Sequence, residues 1–320
     1  MIGFGAEIDG PMVVTRTIHF AATAMTAGTL IFRDCVAAPA LRSSPKAGAI
    51  VDTRTTGLAW VSLSVAAVSG LIWLLLQTAS MSGLGFGEAM TSGTVWTVIN
   101  ETQFGLVSEI RLVLAVLLAV CLALGRSVPA RWLALGAALG LVSAIAWTGH
   151  AGSTPGQLGS LHLAADSLHL IAASAWLGGL ACLLHLFGAG RRHPSIGWGS
   201  LQLDAVRRFS ILGIISVATL IVSGAVNAWI LVGSFHALLV TEYGRLLMLK
   251  LALFVVMVGF ASVNRRWLTP RLAPAGGDKA DPDAIGKLAR NTKIEITLGL
   301  AIFAIVGVLG TLHPAIHLMN

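Results

Sequence analysis

Charge is what this sequence most lacks. Asp, Glu, Lys and Arg make up 11% of its 320 residues, against about 25% in an ordinary soluble domain, so a soluble globular chain is excluded. Carboxylates are scarcer than bases, 14 against 21. The apolar stretches offer few beyond Glu109 and Asp166, which argues against the oxygen-rich cages that hard cations require. Cysteine is equally sparse. Cys35, Cys121 and Cys182 form no CxxC pair and no even-numbered framework, which excludes a disulfide scaffold and a thiolate zinc site. No nucleophile–base pair and no glycine-rich phosphate loop stands out, so the chain reads as a non-enzyme.

What the sequence has in excess is apolar length. Hydrophobic residues account for 56% of the chain and the mean hydropathy is +0.84. Eight runs, at about 12–34, 56–78, 105–125, 131–149, 160–187, 209–233, 244–264 and 293–313, are each long enough for the roughly 20 helical residues that cross a 30 Å hydrocarbon core. The expected fold is therefore all-α, a polytopic bundle of eight transmembrane helices in a lipid bilayer. No Lys or Arg precedes Arg16, and no small-residue cleavage pattern follows the first run, so that run reads as a retained helix rather than a signal peptide. Most of the 21 basic residues fall in the loops after runs 1, 3, 5 and 7, among them Arg42, Arg126, Arg131, Arg191, Arg265 and Lys279. By the positive-inside rule these loops are cytoplasmic, and both termini face outward. The net charge of +7 is thus a topology signal rather than a nucleic-acid footprint. The Gly/Ser/Thr-rich outer stretch 80–102 reads as a loop, and 269–290 as a solvated one.

Histidines concentrate on the outer side. Within GHAGSTPGQLGSLHLAADSLHLIAASAWLGGL (150–180) stand His150, His162, Asp166 and His169. On a helix at 100° per residue, Asp166 lies about 40° from His162 and His169 about 20° away on the other side. One face thus carries two imidazoles and a carboxylate. Such groups are expensive in a membrane and normally face the bundle interior with a partner or a task; a buried His–Asp bond that merely ties two helices is the plain structural alternative. His162 and His169 lie about 10 Å apart along the axis, which suggests two stations rather than one. Imidazole with thioether suits copper, as Cu(I) or Cu(II), and Asp166 is placed to orient an imidazole.

The halves repeat. IHFAATAMTAGTL (18–30) aligns with LHLIAASAWLGGL (168–180), VSG (68–70) with VSG (222–224), TQFG (102–105) with TEYG (241–244), and WTGH (147–150) with GTLH (310–313). The expectation is two parallel four-helix halves, 1–150 and 151–320, about an axis along the membrane normal. The alignment pairs His19 with His169, His150 with His313, Arg111 with Lys250, Met12 with His162 and Arg16 with Asp166. Candidate metal ligands are therefore His150, His162, Asp166, His169, His19, His313 and Met12. Arg111 and Lys250 read as structural, snorkelling outward or holding Glu109 or Glu242.

The H-x-x-x-D-x-x-H-x6-W-x-G-G run, with RRFSILGIISVATLIVSGAVNAW, TEYGRLLMLKLALF and NRRWLTP, resembles the CopD family of bacterial copper-resistance membrane proteins. The resemblance implies an inner-membrane protein that moves copper, with conserved polar positions at His150, His162, Asp166 and His169. It also implies a separate periplasmic CopC-type copper-binding protein as partner. Two other readings fit the residues. Paired histidines, His19 with His169 or His150 with His313, would also suit the axial positions of a haem b that carries electrons. A copper sensor or assembly factor would bind the metal without moving it.

Overall fold

A computed structural model describes residues 9–42, 44–125, 127–193, 198–272 and 282–318. Arg126 and residues 273–281, Lys279 among them, lie outside the described residues; the rest of the stretch 269–290, expected as a solvated loop, is helical at both ends, Thr269–Leu272 and from Pro282 on, with Leu272 fully buried. Among those described, every regular element is helical. The long helices are α1 (Gly10–Phe32), α2 (Pro45–Ser82), α3 (Gln103–Leu124), α4 (Val128–Ser143), α5 (Gly156–Arg192), α6 (Trp198–Val232), α7 (Glu242–Val263) and α8 (Pro282–Leu309).

Seven of these, α2 to α8 with the short turns that continue them, are long and apolar enough to cross a membrane. The eighth expected span, α1, has the length but not the apolarity. It carries Arg16, His19 and five threonines, and Ala27, Leu30 and Phe32 are fully buried within it. The reason is position. α1 packs against α2, α4, α5 and α8, so neighbouring helices rather than lipid cover it, and its polar residues meet protein. α7 is the opposite case, with outward-facing apolar side chains along most of its length.

Several helices outrun their apolar stretches. α2 begins at Pro45 and α8 at Pro282, eleven residues before the runs at 56 and 293. Ala47, Val51, Thr55 and Ala59 are buried at a spacing of four, so the apolar stripe of α2 continues into the polar layer. The outer stretch 80–102 contains two short helices, Phe86–Thr91 and Thr94–Glu101, where a loop was expected. Gly83 and Gly93, at φ 68° and 75°, make the left-handed turns that bound the first of them.

The aligned motifs build the same local structures. Thr102 caps α3 by accepting from the Gly105 N–H, and Thr241 caps α7 by accepting from the Gly244 N–H, each at 3.0 Å. α1 and α5 cross at Gly28 and Gly178, where a β-carbon on Gly28 would fall on the Ser174 carbonyl and one on Gly178 on the Gly28 backbone. α5 in turn packs against α6, α8, α1 and α4.

At the basic end, α1 runs into a π-helical turn, Arg33–Ala37. Asp34, whose side chain is 5% exposed, accepts from Arg33 at 3.1 Å and from Arg131 of α4 at 2.5 Å. Asp34→Asn leaves two guanidinium groups short of their acceptor. It should cost on the order of 1–3 kcal/mol, read as a lower thermal midpoint of the detergent-solubilised protein; an unchanged midpoint would contradict this role.

Candidate functional site

The histidine segment is assembled from its first turn. His150 begins a short 3₁₀ helix, His150–Ser153, and α5 starts at Gly156, whose φ of 67° favours glycine. The Thr154 hydroxyl donates to the His150 carbonyl at 3.0 Å and lies 2.8 Å from Nδ1 of His162. With its proton committed, Thr154 accepts from His162. Nδ1 therefore carries the hydrogen and Nε2 the lone pair. The imidazole is 1% exposed. His150 lies close enough for the two rings to interact electrostatically; its Nε2 is 3.3 Å from the Leu309 carbonyl, and its ring stands 6.2 Å from that of Tyr243.

One turn further along α5, Asp166 accepts from Asn227 Nδ2 of α6 at 3.0 Å. The other amide atom, Asn227 Oδ1, is buried without a partner. Lys250 and Tyr243 of α7 lie within electrostatic reach of the carboxylate, yet Asp166 and Lys250 form no direct ion pair among the described residues. His169 follows. Its Nδ1 lies 3.0 Å from Ser223 Oγ, and Ser223 donates its own proton to the Thr219 carbonyl at 2.6 Å. Here too Nδ1–H is the donor. Nε2 makes no hydrogen bond among the described residues, and Lys250 is again the nearby charge. Gly224 leaves space for the ring, since a β-carbon there would sit 3.3 Å from Cε1.

The aligned position in α1 repeats this arrangement with a different ending. His19 Nδ1 lies 3.1 Å from Ser69 Oγ, Ser69 donates to the Val65 carbonyl at 2.6 Å, and Gly70 opens the space beside the ring. At Nε2, however, the Arg111 guanidinium is in direct hydrogen-bond contact. Both ring nitrogens of His19 are thus engaged. Arg16, at the position aligned with Asp166, donates to the Gly310 carbonyl at 3.0 Å and stands over Phe20 and Trp73. Arg111 therefore neither snorkels nor pairs with Glu109, which is exposed; it is buried against His19.

The remaining candidates are dispersed. Met12 is buried in the apolar cluster that includes Phe20 and Trp73, and His313 is exposed beyond α8. Among the described residues, no three His, Cys, Asp or Glu side chains converge on one point. His162 and His169 lie on one face of α5 with Asp166 between them. The geometry gives the haem reading no support: His19 points toward α2 and α3, His169 toward α6 and α7, and the lone pair of His19 is occupied. Thr154, Ser223, Asn227 and Glu295 were missed as polar partners. The repeated VSG signals Ser69 and Ser223 indirectly; Asn227 carries no such mark, because its aligned position is Trp73.

Residues 7–160 match the family description "Copper resistance protein D-like, N-terminal domain", and residues 203–309 match "Copper resistance protein D". The chain is 34% identical over 227 residues to the inner membrane protein YebZ of Escherichia coli, covering 70% of this chain and 73% of that one. It is 30% identical over 240 residues to copper resistance protein D of Pseudomonas syringae pv. tomato, covering 71% and 76%. It is also 30% identical over 239 residues to copper transport protein CutJ of Bacillus subtilis, covering 71% and 40%. No solved structure matches the chain. Two family descriptions, one for each end of the chain, and two relatives spanned over about three quarters of their length lead to one conclusion: the chain belongs to the CopD family of copper resistance proteins.

Proposed function

We propose that this protein moves copper across the bacterial inner membrane, taking the ion from the outer side through His150, His162, Asp166 and His169. The observation that carries the reading is the pair of fixed tautomers: Thr154 and Ser223 hold the Nδ1–H of His162 and His169, which leaves both Nε2 lone pairs available on the helix face that Asp166 shares. Neutral imidazoles with a carboxylate near them suit copper better than a hard cation. The names of the relatives, copper resistance protein D and copper transport protein CutJ, agree with that choice. The ion steps between two stations, each of low coordination, so that neither holds it too tightly to release.

The architecture in this reading is two parallel four-helix halves, 1–150 and 151–320, with α1 as the eighth span and both termini outside. It is supported by matching partners on α1 and α5, by the matching caps of α3 and α7, and by the Gly28–Gly178 crossing. His19, His313 and Met12 are the first-half or peripheral counterparts of the site and contribute less to binding than the four lead residues. A periplasmic copper carrier of the CopC type is the expected donor, and no catalysis is assigned.

The test is metal analysis of detergent-purified protein together with its absorption spectrum, followed by copper flux into liposomes. Copper bound without a Soret band, and flux above protein-free liposomes, are expected. Copper bound without flux would replace transport by sensing or assembly, and a Soret band would replace copper by haem.

A further inference from the structure

Glu295 has no part in the site above, yet it is a 1% exposed carboxylate inside α8. Asn264 Nδ2 donates to its Oε1 at 2.7 Å, and Asn291 donates to Asn264 Oδ1 at 2.8 Å, which fixes the amide's orientation. The Trp176 indole of α5 lies close enough to interact with the same carboxylate. Trp176 lies two turns along α5 from His169, about 10 Å toward the basic end of the bundle. Among the described residues Glu295 forms no ion pair. A cavity of about 320 Å³ reaches from it to that end; its walls are mostly apolar, and Glu295, Asn264, Thr292, Ser210 and Arg265 form a polar strip along it.

We propose that Glu295 is a proton-binding site that exchanges with water through this crevice, separate from the copper stations. A buried carboxylate without a counter-cation is costly when ionised, and the crevice gives it a way to accept a proton: a hydronium ion reaching it breaks one of its O–H bonds and is left as water while one O–H bond forms on the carboxylate, and release reverses the step. The lining contains no imidazole, thiol or thioether, so a soft metal finds no preferred donor there. The charged groups around Glu295 leave it to titrate by itself. Arg265, at the mouth, donates to Ser210 of α6. Arg266, Arg271, Arg207 and Arg208 are exposed, as are Arg290 and Lys293 of α8. Arg16 of α1 is bonded to Gly310, and Arg33, in the turn that follows α1, to Asp34. On α5, His185, Arg191 and Arg192 are exposed nearer the helix end.

The experiment is difference infrared spectroscopy of the metal-free full chain in nanodiscs, from mildly alkaline to mildly acidic buffer, following the carbonyl stretch of a protonated carboxyl group. Wild type and Asp166→Asn should both gain this band on acidification, Glu295→Gln should lose it, and Glu295→Asp should keep one at a shifted frequency. Copper content of Glu295→Gln should equal that of wild type. A band that persists in Glu295→Gln, or no band in wild type, overturns the proposal. Neither outcome bears on copper binding, which is read from metal content alone.

Discussion

His169→Ala should lower copper affinity by more than the roughly 10–100-fold that accompanies loss of a residue which only orients a ligand, and His162→Ala should do the same. Ser223→Ala, which frees the Nδ1 of His169 without removing the ring, should fall within that range. His19→Ala should leave affinity near that of wild type, because Arg111 already occupies the nitrogen that would face a metal. Competition titration of purified protein against a copper chelator separates these cases. An equal loss for His19→Ala and His169→Ala would sink the assignment of the lead site to α5, and unchanged affinity in both α5 variants would remove the site altogether.

Gly28→Val should damage the fold more than any other single substitution considered. Its first added carbon would overlap the Ser174 carbonyl, and backbone has no rotamer by which to give way. Overpacked cores lose about 1–3 kcal/mol, and this crossing belongs at or above the upper end of that range because α1 contacts four other helices. The expected result is a lower thermal midpoint and a reduced yield of monodisperse protein. Gly188→Val on α5 is the control, since a β-carbon there meets nothing within 4 Å. Equal behaviour of the two variants would mean that the α1–α5 crossing does not hold the bundle together.

The sequence repeat made the serine-bound histidines legible, because the VSG segments that supply Ser69 and Ser223 align along with the histidines. Apolar runs located each long helix but not its ends: hydropathy reports the stretch that meets lipid, whereas Ala47 and Val51 extend α2 by packing on protein. The short helices at 86–101 were hidden by glycine, serine and threonine, residues that more often mark turns. Glu295 was passed over because it stands two residues from Lys293 and resembles a charge at a helix end; only the arrival of Asn264 from the turn that follows α7 and Trp176 from α5 turns it into an interior group. The hydrogen bond between Arg111 and His19 spans 92 residues, and no local pattern encodes a contact of that kind.

The aligned cations Arg111 and Lys250 differ in more than shape. A guanidinium binds through a rigid planar fork, whereas an ammonium is a compact charge carried on a flexible stem. The half containing His19 is therefore closed by a permanent stopper, built from the protein's own positive charge. In the proposed reading the half containing His169 has only a doorkeeper: a lysine on a flexible stem, able to swing aside as another cation arrives, whereas admission at His19 would first have to break a buried hydrogen bond.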